Sequence, residues 1–360
     1  MSSHMSGSDS QSAQADGGGA VSTPSTSTGT TSTSSNESTV TGTAARAINE
    51  LPLGDRMRLE PRTLKRLGLL GVLYVVTIGA IVTFLDLPTP DAAVFGSFVP
   101  SVVVLAFLFE TMDSAAGMGF GTALSPVLLI VLGFDPLAVV PVLLVSETLT
   151  GLVSGWMHNE FENVSISLER PLGEETKAVG LITGVAVLGT IASVLLAYFA
   201  IQFDSTIINA YVTVLVFVMA VAVLFREHFK PAEDAEYRPR SLVGFAAIAG
   251  FNKGIGGGGF GPVTTMGQLY AGVYEKAASA ISSISEGLAS LVGVVTYFAI
   301  EAAGADLNFM LLPSLLAGSL LAAVVAPYSV RVIPNKIYRY VIPGYALAIA
   351  VILVVTNFLI

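Results

Sequence analysis

The chain is a succession of apolar runs, most of them close to the length that crosses a lipid bilayer. They fall at roughly 67–86, 92–112, 119–133, 136–157, 178–201 and 206–226, then at 241–256, 259–270, 277–300, 307–330 and 340–360. A helix needs about 20 apolar residues to span the hydrocarbon core. The runs at 119–133 and 259–270 are too short to cross upright, and each follows a glycine-rich break. Charged residues make up only 12% of the chain, against about 25% in a soluble domain. The pattern predicts an all-α polytopic membrane protein.

Residues 1–44 are almost entirely Ser, Thr, Gly and other small polar residues, too poor in apolar surface to offset the entropy of ordering, so they read as a disordered tail. The tail has no apolar core of the kind a cleaved signal peptide carries. Residues 45–66 form a basic juxtamembrane segment, and 67–91 hold one extra transmembrane helix. Alternating the later segments from that helix puts sixteen of the seventeen Lys and Arg residues on one side, which the positive-inside rule makes cytoplasmic. The amino terminus is then cytoplasmic, the carboxyl terminus outside, and the protein multi-pass in the cell membrane. The seventeenth cation is Lys253, inside an apolar run.

Two stretches recur. "GMGFGTALSP" (117–126) resembles "GGGFGPVTTM" (257–266), and "SETLTGLV" (146–153) resembles "SEGLASLV" (285–292), at offsets of 140 and 139 residues. This divides the chain into membrane repeat 1 (92–226), a cytoplasmic linker (227–240) and membrane repeat 2 (241–360). An odd number of crossings per copy leaves the second copy inverted, whether the short segments span or return as re-entrant hairpins. Inverted repeats with paired broken segments point to a transporter whose site lies near the bilayer midplane.

Glycine allows unusual backbone angles and close approach to the main chain. A half-helix starting inside the membrane presents free N–H groups and a positive dipole end, which favour an anion. The candidate substrate-binding residues are therefore Gly117, Gly119 and Gly121 in the first copy, and Lys253, Gly256, Gly257, Gly258, Gly259 and Gly261 in the second. Scattered glycines such as Gly287 and Gly293 read instead as packing positions. Lys253 either contacts the ligand, pairs with Asp113, which holds the equivalent place in the first copy, or extends to an interface. Glu147 and Glu286 occupy matched positions within their segments, and an intramembrane carboxylate usually marks a gate or a coupling site. Ser146 and Ser285 are neighbours able to hydrogen-bond them. Glu110 and Asp113 lie close to the first break. Asp113, Glu147, Glu286, Ser146 and Ser285 are thus the candidate coupling or gating groups.

The stretches "MDSAAGMGFGTALSP" (112–126) and "NKGIGGGGFGP" (252–262), followed by the two Ser-Glu segments, resemble the sulfite exporter TauE/SafE family of membrane permeases over about 92–360. The resemblance implies transport of a small sulfur oxyanion, such as sulfite or an organosulfonate. Met118 departs from the pattern, standing where the second copy has glycine, which makes the two sides unequal. The reading is a secondary transporter, working as an exporter by alternating access, with a proton or sodium ion for coupling. A passive anion channel and a non-transporting membrane scaffold are the alternatives. The chain has no cysteine, no Gly-x-Ser-x-Gly and no phosphate-binding loop ending in Gly-Lys-Ser/Thr. No enzyme, catalytic residue, metal or cofactor is therefore expected, and energy would come from a gradient. A net charge of −9 argues against a nucleic-acid partner. The expected partners are the anion, its coupling ion and membrane lipid.

Overall fold

The computed structural model describes residues 41–84, 99–202, 204–224, 237–304 and 307–334, together with 351. Tail residues 1–40, most of the linker and all but residue 351 of the last apolar run lie outside the described residues, as does the expected position of the carboxyl terminus. The described residues are helical, with no strand among them. Five helices are long and apolar enough to cross a membrane: Pro61–Ala80, Pro136–Glu160, Glu174–Ile201, Glu275–Glu301 and Leu312–Val332. In lipid a backbone must satisfy its own polar groups, which is why such sequences resolve into long helices.

The helices are α1 (Thr43–Glu50), α2 (Leu53–Met57), α3 (Pro61–Phe84), α4 (Pro100–Ala116), α5 (Pro136–Glu160), α6 (Glu174–Leu196), α7 (Ser205–Leu224), α8 (Leu242–Gly256), α9 (Phe260–Tyr270), α10 (Glu275–Glu301) and α11 (Leu312–Val332). Between α4 and α5 the chain winds as two wide π-helical turns, Phe120–Leu124 and Val127–Val131. The start of α5 shows how local chemistry sets an end. Asp135 caps it by accepting from Leu137 N at 2.9 Å, and Pro136 follows at the first turn, where its missing N–H is not needed.

At the centre α5 crosses α10 at Gly151 and Gly287, each of which rests on the other helix's backbone. Small residues permit this approach, and dispersion and close packing rather than hydrophobic burial hold helices together in lipid. Around this pair α4 packs on α11 and α8 on α6, while α11 also touches α5 and α10 touches α6. Gly293 sits against Leu144 and Thr190.

The helix α9 folds back along α8. Arg238 N, just before α8, donates to Ala271 O, just after α9, at 2.8 Å. Gly267 lies against the Phe245 ring, and the Tyr270 and Phe245 centroids are 6.2 Å apart. The two helices are therefore an antiparallel hairpin with its tip at Gly256–Gly259. Phe120–Leu124 likewise turns back onto α4, with Gly119 pressed against Phe109 O and Met112.

Helix α3 is peripheral: Tyr74 Oη donates to Ala317 O at 2.9 Å, Thr63 Oγ1 donates to Glu160 Oε1 at 2.8 Å, Arg66 pairs with Glu160, and Leu70 packs with Met157 and Phe161. The basic segment before it is folded rather than extended. Gly42 N donates to Glu175 Oε1 at 2.6 Å, Thr41 is buried, and Arg46 lies 4.5 Å over the Tyr274 ring. Further on, Tyr328 Oη donates to Met57 O and Arg331 Nε to Arg56 O. Residues 41–58 thus strap one face of the bundle, and residues 41–44, placed by the sequence in the polar tail, belong to that strap, Thr43 and Ala44 within α1.

Candidate functional site

Two helices end where the glycines begin. Gly117 closes α4 with φ 66°, its N–H donating to Asp113 O at 2.6 Å. Gly257 closes α8 with φ 68°, its N–H donating to Lys253 O at 2.9 Å. Both are left-handed caps that suit glycine. The two tips then meet back to back. A methyl group on Gly121 would collide with Gly257 O, and one on Gly258 with Gly121 O. Gly261 lies against Gly117 O and Met118.

Hydrogen bonds stitch the tips crosswise. Gly259 N donates to Thr122 Oγ1 at 3.1 Å, and Ser125 Oγ donates to Gly256 O. In return Thr265 Oγ1 donates to Gly117 O at 2.7 Å. The N–H groups of Gly117, Gly257 and Gly259 are therefore engaged within the protein, and the glycines serve the mutual approach of two backbones.

Directly beneath lies Lys253, fully buried. Its Nζ donates to Glu147 Oε2 at 2.6 Å and to Glu286 Oε1 at 2.7 Å, and it lies 5.3 Å from the centroid of the Phe260 ring. The lysine joins α8 to the two crossing helices α5 and α10. It neither reaches an interface nor forms the pair with Asp113 that the repeat offered, because both matched glutamates take it. Asp113 is buried next to Gly261 instead. Ser146 and Ser285 do not bond the glutamates beside them. Ser146 Oγ is 2.9 Å from Ser319 Oγ, and Ser285 Oγ is buried without a hydrogen-bond partner. The other Glu147 oxygen, Oε1, is also buried and partnerless, and it faces Gly121 at the tip crossing.

Two groups complete the polar centre. Glu110 accepts from Ser114 Oγ at 2.6 Å and from Thr150 Oγ1 at 3.3 Å, and is buried. The sequence placed it near the break without a role. The second group was missed altogether: Thr264, Thr265 and Gln268 of α9 face Ser282 of α10, whose Oγ lies 3.1, 3.1 and 2.7 Å from their polar atoms. Spacing of polar residues at one and four positions along an apolar helix was the available signal.

Fold and site together define a polytopic helical membrane protein in which buried charges converge where two helical tips meet. Residues 102–353 match the model described as Sulfite exporter TauE/SafE. The chain belongs to this family of membrane transporters. It is similar to the Probable membrane transporter protein YtnM of Bacillus subtilis (strain 168), at 27% identity over 257 residues that cover 69% of this chain and 81% of that protein. The strap and α3 precede the matched region.

Proposed function

We propose that the protein is a secondary transporter exporting a small sulfur oxyanion, sulfite or an organosulfonate, across the cell membrane by alternating access. The observation that carries this reading is the Glu147–Lys253–Glu286 triad buried beneath two crossing glycine tips. Buried ions are costly and are retained where they pair, gate or bind. One ammonium stands among four buried carboxylates, those of Glu110, Asp113, Glu147 and Glu286. A proton arriving on Glu147 or Glu286 releases Lys253 from one partner. When the tips part, the freed ammonium faces a common space fit for an oxyanion, together with the N–H of Gly259, released from Thr122, and those of Gly119, Gly121, Gly258 and Gly261. The N–H groups of Gly117 and Gly257 stay in their helix caps, and Gly256 lies inside α8.

The reading includes an inverted repeat, which matched contacts support. Exchanging the copies turns the α4–α11 contact into α8–α6 and leaves α5–α10 unchanged. His158 Nε2 lies 2.7 Å from Ser114 O, and at the matched positions Tyr297 Oη donates to Gly254 O at 3.1 Å. On this reading the glycine segments are re-entrant hairpins entering from opposite sides. The strapped face, rich in Lys and Arg, is cytoplasmic. The test is uptake by liposomes containing the purified chain, offered sulfite, thiosulfate, sulfate and a small sulfonate with and without a pH gradient. Saturable accumulation driven by the gradient is expected. Equilibration that no gradient can drive uphill makes it a channel, and no flux of any anion removes the substrate class.

A further inference from the structure

The two hairpin tips rest on very different seats. Gly117 of the first tip lies against Thr265 Oγ1, Ser279 Cα and Ser282 Cβ. Gly257 of the second lies against Leu143 and Val140. These seats correspond under the 140- and 139-residue offsets: Leu124 and Leu128 stand where the second copy has Thr264 and Gln268, and Val140, Leu143 and Leu144 where it has Ser279, Ser282 and Ser283. All of them are buried. Leucine and valine hold the tip by volume in the first copy, and the one hydroxyl both copies use for it is that of Ser125 and Thr265, each donating to the opposite tip. The hydroxyls of Thr264 and Ser282 and the amide of Gln268 have some other use.

The hydrogen bonds show where capacity is left. Thr264 and Thr265 give their protons to the carbonyls of Phe260, Gly261 and Gly117, and Ser279 gives its own to Lys276 O. Gln268 Nε2 donates to Ser282 Oγ at 2.7 Å, but Gln268 Oε1 is wholly buried with no partner. A buried polar atom left unpaired is unfavourable. Turning this amide through half a revolution keeps the Ser282 contact, now with the serine donating, and leaves two N–H donors free for a ligand. Ser282 is one helical turn from Glu286, so the seam leads to Lys253.

We infer that the α9–α10 seam is the entry subsite for the oxyanion, and that Gln268 is its specificity-determining donor. The inference rests on the transporter reading above and locates the polar contacts of the entry subsite in the second copy alone. The seam is uncharged, so it receives an anion without a fixed counter-ion and releases it readily toward the lysine. Its counterpart in the first copy is an apolar closure.

The test is thermal unfolding of the purified full chain in detergent, titrated with sodium sulfite, thiosulfate or sulfate against sodium chloride at equal ionic strength. Wild type is expected to gain stability saturably with at least one oxyanion. Gln268→Leu, which removes the unpaired carbonyl, should unfold unliganded at or above the wild-type temperature while its half-saturating concentration rises at least tenfold. Gln268→Met serves if the leucine variant does not fold. Gln268→Glu should abolish the response. Wild-type half-saturation in the leucine or methionine variant overturns the inference, as does tighter binding by the glutamate variant. A wild type that responds to no oxyanion overturns the anion reading and this subsite with it, whereas a responding wild type with indifferent variants leaves the transporter reading standing.

Discussion

Lys253 shows how much one residue can bind together. Two glutamates from the crossing helices close on it, and among the described residues it is the only cation in an ion pair with either. Removing one member of a buried ion group typically costs ~3–5 kcal/mol, because the charge left behind has no partner. Lys253→Met is therefore expected to lower the unfolding temperature sharply in detergent and to end transport. Adding Glu147→Gln and Glu286→Gln removes the stranded charges and should restore most of the stability but none of the flux. Flux at the wild-type rate in that triple variant would reduce the triad to packing. The sequence singled out all three residues, yet it offered Asp113 as the partner of the lysine. Repeat symmetry equates positions, but it does not say which helix face meets which. The long lysine side chain reaches α5 and α10, while the short aspartate stays against Gly261.

The glycine tips set the character of the elements. The short runs at 119–133 and 259–270 were visible in the sequence as too brief to cross. Whether they crossed or returned was not, because both paths use the same number of residues. The contacts that fold α9 back along α8, Arg238 N to Ala271 O and Gly267 on Phe245, join residues more than twenty apart and leave no local pattern; a return of both runs to the side they enter is part of the proposed function. The same holds for the glycines' role, since a bare Gly-rich stretch serves a ligand and a neighbouring backbone equally well. Gly121→Ala and Gly258→Ala each place a methyl group into the opposite tip. Overpacking of this kind costs ~1–3 kcal/mol, so both variants should unfold earlier and transport more slowly. Gly180→Ala on α6, with open space around it, is the control and should match wild type in both assays. Tip variants that transport normally would separate the tip crossing from the transport cycle.

At the scale of the whole molecule, hydropathy made the spanning helices legible because lipid forces long apolar runs into helices wherever they occur. The strap over residues 41–58 was not legible. Its helix α1 buries only Ala45 and Ile48, and its docking relies on bonds such as Gly42 N to Glu175 that carry no signature in composition. The proposed exchange of access requires the two copies to move against each other, and their central contact is α5 on α10. Ser154 Oγ and Ser283 Oγ face each other there at 3.5 Å. The chain has no cysteine, so Ser154→Cys with Ser283→Cys introduces a lone pair of thiols whose side chains already meet. Oxidation to the disulfide, verified by mass spectrometry, is expected to cut liposome uptake at least tenfold, with recovery on reduction. The unoxidised double variant should transport as wild type. Undiminished uptake by the fully cross-linked protein would mean that α5 and α10 travel as one body. Motion would then have to lie in the hairpins, whose tips are seated on polar side chains in one copy and on leucine and valine in the other.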